Sequence, residues 1–227
     1  MSTTRFTYSQ FITRWVTNSS NEQITIPTTT SSEDYNFIVD WGDGTVENIA
    51  GADPSPSHTY SSAGEYIIRI TADPDAGQSF PQIYFNDNGT ERIQELVQWG
   101  SINWQDMNAA FNGCSNLKIT AGDKPDLSNV TSMNEAFAEV LLVDNTQNWD
   151  TSNVESMAST FVGEGSIGDI TEWDTSNVTD MSSMFSNRFF GNTNNFNQDI
   201  SGWDTSNVTD MSSMFESAAN FNQDISS

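Results

Sequence analysis

The 227-residue chain sets 31 acidic residues against 7 basic ones, a net charge of −24, and carries seven tryptophans and fourteen phenylalanines. That charge excludes nucleic acid, whose phosphates need Lys and Arg, and excludes docking on anionic lipid. The aromatic content argues against a disordered acidic tail.

Length allows one large or two small domains. No run approaches a transmembrane helix, so no membrane insertion is expected. The opening MSTTRFTYSQ has neither the basic nor the apolar region of a signal peptide. Export by another route, removal of a leader, and release of a virion component by lysis all agree with it. Cys114 is the one cysteine, so no intrachain disulfide can form and cysteine usage leaves the compartment open.

Residues 5–20 alternate weakly and predict a first strand, with Phe11, Ile12, Trp15 and Val16 as its apolar members. Residues 24–26 predict a second, ended by Pro27. YNFIVDWGDGT at 35–45 reads as a strand running into a glycine turn, and residues 46–49 start the next strand. A turn at 58–60 and a last strand at 63–70 complete a series of short strands with Gly, Pro and Ser between them. Such a series predicts a β-sandwich. The phrases VDWGDGT, SHTY and AGEYIIRI resemble a PKD-type (polycystic kidney disease) domain over residues 8–73. Asp40-Trp41 departs from the Trp-Asp-Phe that the family often has before the glycine. The resemblance implies an immunoglobulin-like sandwich used as a spacer or binding module in extracellular proteins.

The Asp/Pro/Gly composition of 73–78 predicts a hinge. Residues 80–104 predict an N-terminal cap for the rest of the chain, with strands at 83–85 and 93–99. Beyond the cap the chain repeats itself. WDTSNVTDMSSMF occurs at 173–185 and again, letter for letter, at 203–215, with looser copies from Trp149, Pro125 and Trp104. Met107, Met133, Met157, Met181 and Met211 are each followed four residues on by Phe111, Phe137, Phe161, Phe185 and Phe215. A period in the twenties predicts a solenoid whose units bury their apolar side against their neighbours. Val178, Met181 and Phe185 at i, i+3, i+7 predict a short helix, preceded by a brief extended Trp-Asp-Thr-Ser-Asn-Val segment with Asx turns.

The phrase WDTSNVTDMSSMF…FNQDIS resembles the repeats of BspA-like leucine-rich-repeat surface proteins, which also occur in mycoplasma lipoproteins. AFNGCSNL at 110–117 resembles the AFxxCxxL form of that repeat. The resemblance covers residues 100–227. It implies a curved leucine-rich-repeat-type solenoid displayed for adhesion, without catalytic residues.

The side chains give little sign of chemistry. His58 reads as a hydrogen-bonded turn residue, and one histidine supports neither a histidine relay nor a His-rich zinc site. No serine lies in a GxSxG elbow. Gly42-Asp43-Gly44 reads as a turn, because no βαβ unit follows it. Asp126, Asp150, Asp174 and Asp204 are expected in a row with steps of about 5 Å. Each is expected to cap its own Asx turn, with a calcium row as the alternative; Asp40 and Asp43 pose the same question. No EF-hand loop is present. Asn129, Asn153, Asn177 and Asn207 read as a structural ladder, and Cys114 as a buried thiol. No catalytic, cofactor-binding or metal residue is therefore assigned, and calcium is the one cofactor kept in view.

The expected fold is mixed. An immunoglobulin-like, PKD-type β-sandwich at 1–78 precedes an α/β leucine-rich-repeat-type solenoid at 79–227, made of a cap and five repeats. The expected role is non-enzymatic adhesion to a protein or glycan ligand at the cell surface or outside the cell. The alternative is a structural or decoration protein of a virion or other assembly, its partner meeting the open C-terminal repeat. A carbohydrate-active enzyme ranks third and needs a catalytic domain outside these residues.

Overall fold

A computed structural model describes residues 9–30, 34–73, 76–163, 165–187 and 195–225. The N-terminal module contains β1 (Phe11–Thr17), β2 (Glu22–Thr25), β3 (Tyr35–Asp40), β4 (Val46–Gly51), β5 (Ser57–Tyr60) and β6 (Gly64–Thr71). β1 shows how the sequence makes them. Its letters alternate, and Phe11, Thr13, Trp15 and Thr17 face inward, the period-two pattern of a half-buried strand. β2 and β5 form a separate two-stranded sheet. The turn predicted at 58–60 is thus a strand, with His58 opposite Ile24.

The hinge expected at 73–78 does not separate two modules. β1 pairs on one side with β6 and on the other with β7 (Ile93–Gln98), Ile12 opposite Gln98 and Trp15 opposite Ile93. β7 in turn pairs in parallel with β8 (Lys118–Ile119), followed by β9 (Leu142–Val143) and β10 (Ser166–Ile167). One eight-stranded sheet therefore runs β10-β9-β8-β7-β1-β6-β3-β4. Gly100 sits at this joint with φ +69°, and a Cβ there would lie 2.4 Å from the Gln10 carbonyl. Only glycine allows the two backbones to approach so closely. Residues 83–85 form no strand; their burial instead covers the first repeat.

The α/β leucine-rich-repeat-type solenoid is overturned, because no α-helix exists among the described residues. The Met-x3-Phe segment is a run of overlapping turns. Ala136, Ala138 and Val140 donate back to the carbonyls of Met133, Glu135 and Phe137 at 3.0–3.2 Å. The N–H groups between them take another direction. Met133, Glu135, Phe137 and Glu139 donate to Ser156, Ala158, Thr160 and Val162 of the next repeat at 2.7–3.1 Å. In an α-helix all would point along the axis to residue i−4. The cause is the residue two after each methionine. Ala109, Glu135, Ser159, Ser183 and Ser213 have φ between +48° and +56°, a left-handed conformation that ends a right-handed helix.

Apolar spacing did not reveal this, because the turn run also turns Met133, Ala136 and Phe137 inward. The repeats stack through these cross-repeat bonds and through their rings. Phe85, Phe111, Phe137, Phe161, Phe185 and Phe215 follow one another with centroids 5.7–6.1 Å apart. Trp99, Trp149 and Trp173 make a second column. Trp15 of β1 stacks on Phe85 at 5.7 Å, so one apolar core runs from the N-terminal strands into the repeats.

Candidate functional site

The expected acidic row exists and lies at the surface. Asp126, Asp150, Asp174 and Asp204 are exposed, and each Oδ1 accepts the N–H of the serine two residues on, at 2.9–3.3 Å. The hydroxyls of Ser152 and Ser176 add bonds of 2.7 and 2.6 Å to the same oxygens. For Asp150, Asp174 and Asp204 the serine hydroxyl, with its backbone N–H, holds the carboxyl below its ordinary range. Burial pushes Asp126 upward, but the Ser128 hydroxyl and N–H and the Asn103 amide outweigh it. Asp150 and Asp204 oppose ionisation of Asp174, as neighbours in a row must. The geometry is that of Asx turns, with one oxygen of each carboxylate committed to its own backbone. Among the described residues no three His, Cys, Asp or Glu side chains converge as a metal site.

The asparagine column binds repeat to repeat. The side-chain amides of Asn153, Asn177 and Asn207 donate to the carbonyls of Ser128, Ser152 and Ser176 at 2.7–3.1 Å. Asn129 donates to Asn103 Oδ1 at 2.7 Å. One column escaped the sequence reading. Thr151 and Thr175 are buried, and their hydroxyls donate to the carbonyls of Asp174 and Asp204 at 2.9 and 3.0 Å. The threonine present in all three copies of WDTSN was the signal for it.

In the N-terminal module Asp40 and Asp43 serve the glycine turn, accepting the N–H groups of Gly42 and Thr45 at 2.9 and 3.0 Å. His58 Nε2 lies 2.8 Å from Asp43 Oδ2 and its ring stacks on Trp41. Burial pushes the Asp43 carboxyl up, yet the Thr45 N–H and the His58 ring outweigh it and hold it below the ordinary range. Cys114 is buried, which pushes its thiol pKa up and leaves it an inert core group. A groove of about 290 Å³ lies between β2 and the turn after Phe85, floored by buried Trp15. Its cation, Arg92, is paired with Glu22 at 2.6 Å.

What the surface displays is thus a set of aligned polar turns on a stacked aromatic core, joined by a shared sheet to a β-rich N-terminal part; the separate immunoglobulin-like sandwich expected there is replaced by that one large mixed sheet with β2-β5 beside it. That arrangement defines a two-part β protein with a repeat region. The family described as "Mycoplasma protein of unknown function, DUF285" matches residues 105–189 and 168–227, and the PKD domain matches residues 15–82. The first covers more than half of the chain, and the chain belongs to that family. The leucine-rich-repeat assignment is not among the matches, in keeping with the absence of α-helices among the described residues. Searches of curated proteins and of solved structures gave no significant match. No helix among the described residues is long and apolar enough to cross a membrane.

Proposed function

We propose that the chain is a non-enzymatic recognition protein of the cell surface or extracellular space. It binds a protein or glycan through the exposed turn face of its repeats. The observation that carries this reading is the alignment of exposed Asp150, Asp174 and Asp204 with Asn177 and Asn207, whose amides tie each repeat to the one before it. Such a face recognises by broad complementarity, with polar groups at fixed intervals. The PKD match and the likeness of the repeat phrase to BspA-like surface proteins support adhesion as the purpose. The test is capture from panels of matrix proteins and glycans. A ligand retained by the wild type and lost by the Asp150→Asn, Asp174→Asn, Asp204→Asn triple variant supports the reading. The variant keeps an oxygen to accept each turn N–H while removing three charges. Failure to retain any ligand, or equal retention by the variant, opposes it.

A further inference from the structure

β2 has one open edge. Among the described residues it pairs with β5 alone. The Ile26 N–H donates to the Pro56 carbonyl at 2.9 Å, and Ile24 lies opposite His58 in the same register. An antiparallel ladder bonds alternate pairs, so Ile24 and Ile26 point their backbone groups at β5. Gln23 and Thr25 point theirs away, and their N–H and carbonyl groups meet no partner among the described residues. Exposed strand edges are usually blunted by lysine, proline or a bulge. β2 has the sequence Glu-Gln-Ile-Thr, with neither residue, and its register with β5 runs unbroken. The groove of about 290 Å³ lies along this open edge. Its lining takes three successive residues of β2, Gln23, Ile24 and Thr25, and none of β5, together with Asn88, Gly89 and Glu91 from the turns before β7.

We propose that this groove is a docking site for an extended peptide bearing basic side chains, which adds to β2 as a third strand of the β2-β5 sheet. Backbone polarity selects an extended chain. Donors and acceptors two residues apart on a strand edge are matched by another strand about 4.8 Å away. Side chains of such a strand alternate, so one set meets the apolar base made by Trp15 and Ile24 while the other faces water. Charge selects the basic members. Arg92 is paired with Glu22 at 2.6 Å and lies 3.5 Å from Glu91, whose side chain is 64 % exposed. Two carboxylates against one guanidinium leave the rim negative, on a chain of net charge −24, and such a rim attracts lysine or arginine. The same charge opposes a second copy of this chain as the occupant, since like would meet like. The site lies apart from the turn face of the repeats and does not depend on a ligand there.

The proposal is tested with the whole chain and a labelled, capped hexapeptide of alternating lysine and valine, at physiological ionic strength. Fluorescence anisotropy is expected to show saturable one-to-one binding, and the amides of Gln23 and Thr25 to gain protection from exchange. The same peptide N-methylated throughout keeps its charges and loses its donors. It is expected to bind at least tenfold more weakly, as is a hexapeptide of alternating glutamate and valine. Thr25→Pro removes an outward N–H from an edge strand, where proline is tolerated, and Glu91→Lys reverses an exposed charge of the wall. Each is expected to weaken binding at least fivefold with an unchanged circular dichroism spectrum. The Asp150→Asn, Asp174→Asn, Asp204→Asn variant is expected to bind as the wild type does; loss of binding there moves the site to the repeats and overturns the proposal. Absence of saturable binding, equal binding of the N-methylated peptide, or indifference to both Thr25→Pro and Glu91→Lys also overturns it. So does self-association of the chain that Thr25→Pro abolishes, which makes a second copy the occupant.

Discussion

Ser183 has φ +56°, where a helical residue has about −63°. This one torsion separates a turn run from a helix, and it yields a test that the two structures answer in opposite senses. In a helix, Ser183→Gly costs up to about 1 kcal/mol through backbone freedom. In the left-handed conformation glycine relieves strain, so Ser183→Gly is expected to leave stability unchanged or raised. Ser183→Val is expected to lower it by about 1–2 kcal/mol. Denaturant unfolding of the two variants checks both. Asp174 supplies the pH counterpart. Its carboxyl is held below its ordinary value of 3.8, first by the Ser176 hydroxyl and then by the Ser176 N–H. The unfolded chain therefore binds more protons in acid than the folded one. The contribution is fully present above the ordinary value and is lost as pH falls through the lower, folded one. Melting temperatures between pH 6 and pH 2 are expected to fall less for Asp174→Asn than for wild type. The amide keeps an acceptor for the Ser176 N–H and does not titrate.

At the scale of one repeat, the phenylalanine column dominates. Phe185 is fully buried and its ring stacks on Phe161, Phe196 and Phe215 at 6.1, 3.8 and 5.7 Å. Phe185→Ala is expected to cost about 3–5 kcal/mol, because it removes the transfer energy of a ring and leaves a cavity. A repeat is supported only by its neighbours, so the damage is local. Hydrogen exchange is expected to accelerate across residues 149–225 while the amides of β1, β6 and β3 keep their protection. Uniform acceleration through the N-terminal strands would mean that the two parts unfold as one unit. The shared strand pair β1-β7 is the element through which such coupling would pass.

For the whole molecule the governing quantity is the charge of −24. A folded chain of that charge repels itself, and aligned columns such as Asp150, Asp174 and Asp204 concentrate the repulsion. Sodium chloride is expected to raise the melting temperature, since the Debye length falls from about 30 Å at 0.01 M to about 8 Å at physiological ionic strength. Calcium at matched ionic strength is expected to add no further increment, because each row carboxylate already has an oxygen on its own turn. Calorimetric titration decides this. Saturable calcium binding removed by Asp174→Asn and Asp204→Asn would assign the row to the metal.

Periodicity alone determined that Met133, Met157 and Met181 would share one buried position, and that Phe137, Phe161 and Phe185 would lie over one another. Identical letters at a fixed step can bury their apolar members only by repeating the same environment. The Asx turns of Asp150 and Asp174 were legible for the same local reason, since the acceptor and its serine donor are two residues apart. The N-terminal strands came from alternation, as in β1, but not their joining into one mixed sheet with the repeats. The tertiary structure decided what no local pattern carries. The sign of φ at Ser159 and Ser183 is set by where the cross-repeat N–H groups must point, and apolar spacing is compatible with helix and turn run alike. The joining of β1 to β7 depends on the backbones of Gln10 and Gly100 meeting, where only a glycine fits. The exposure of Met211 beside the burial of Met181 is the plainest case: the same sequence has two fates, because burial belongs to the neighbour that covers a residue and not to the residue itself.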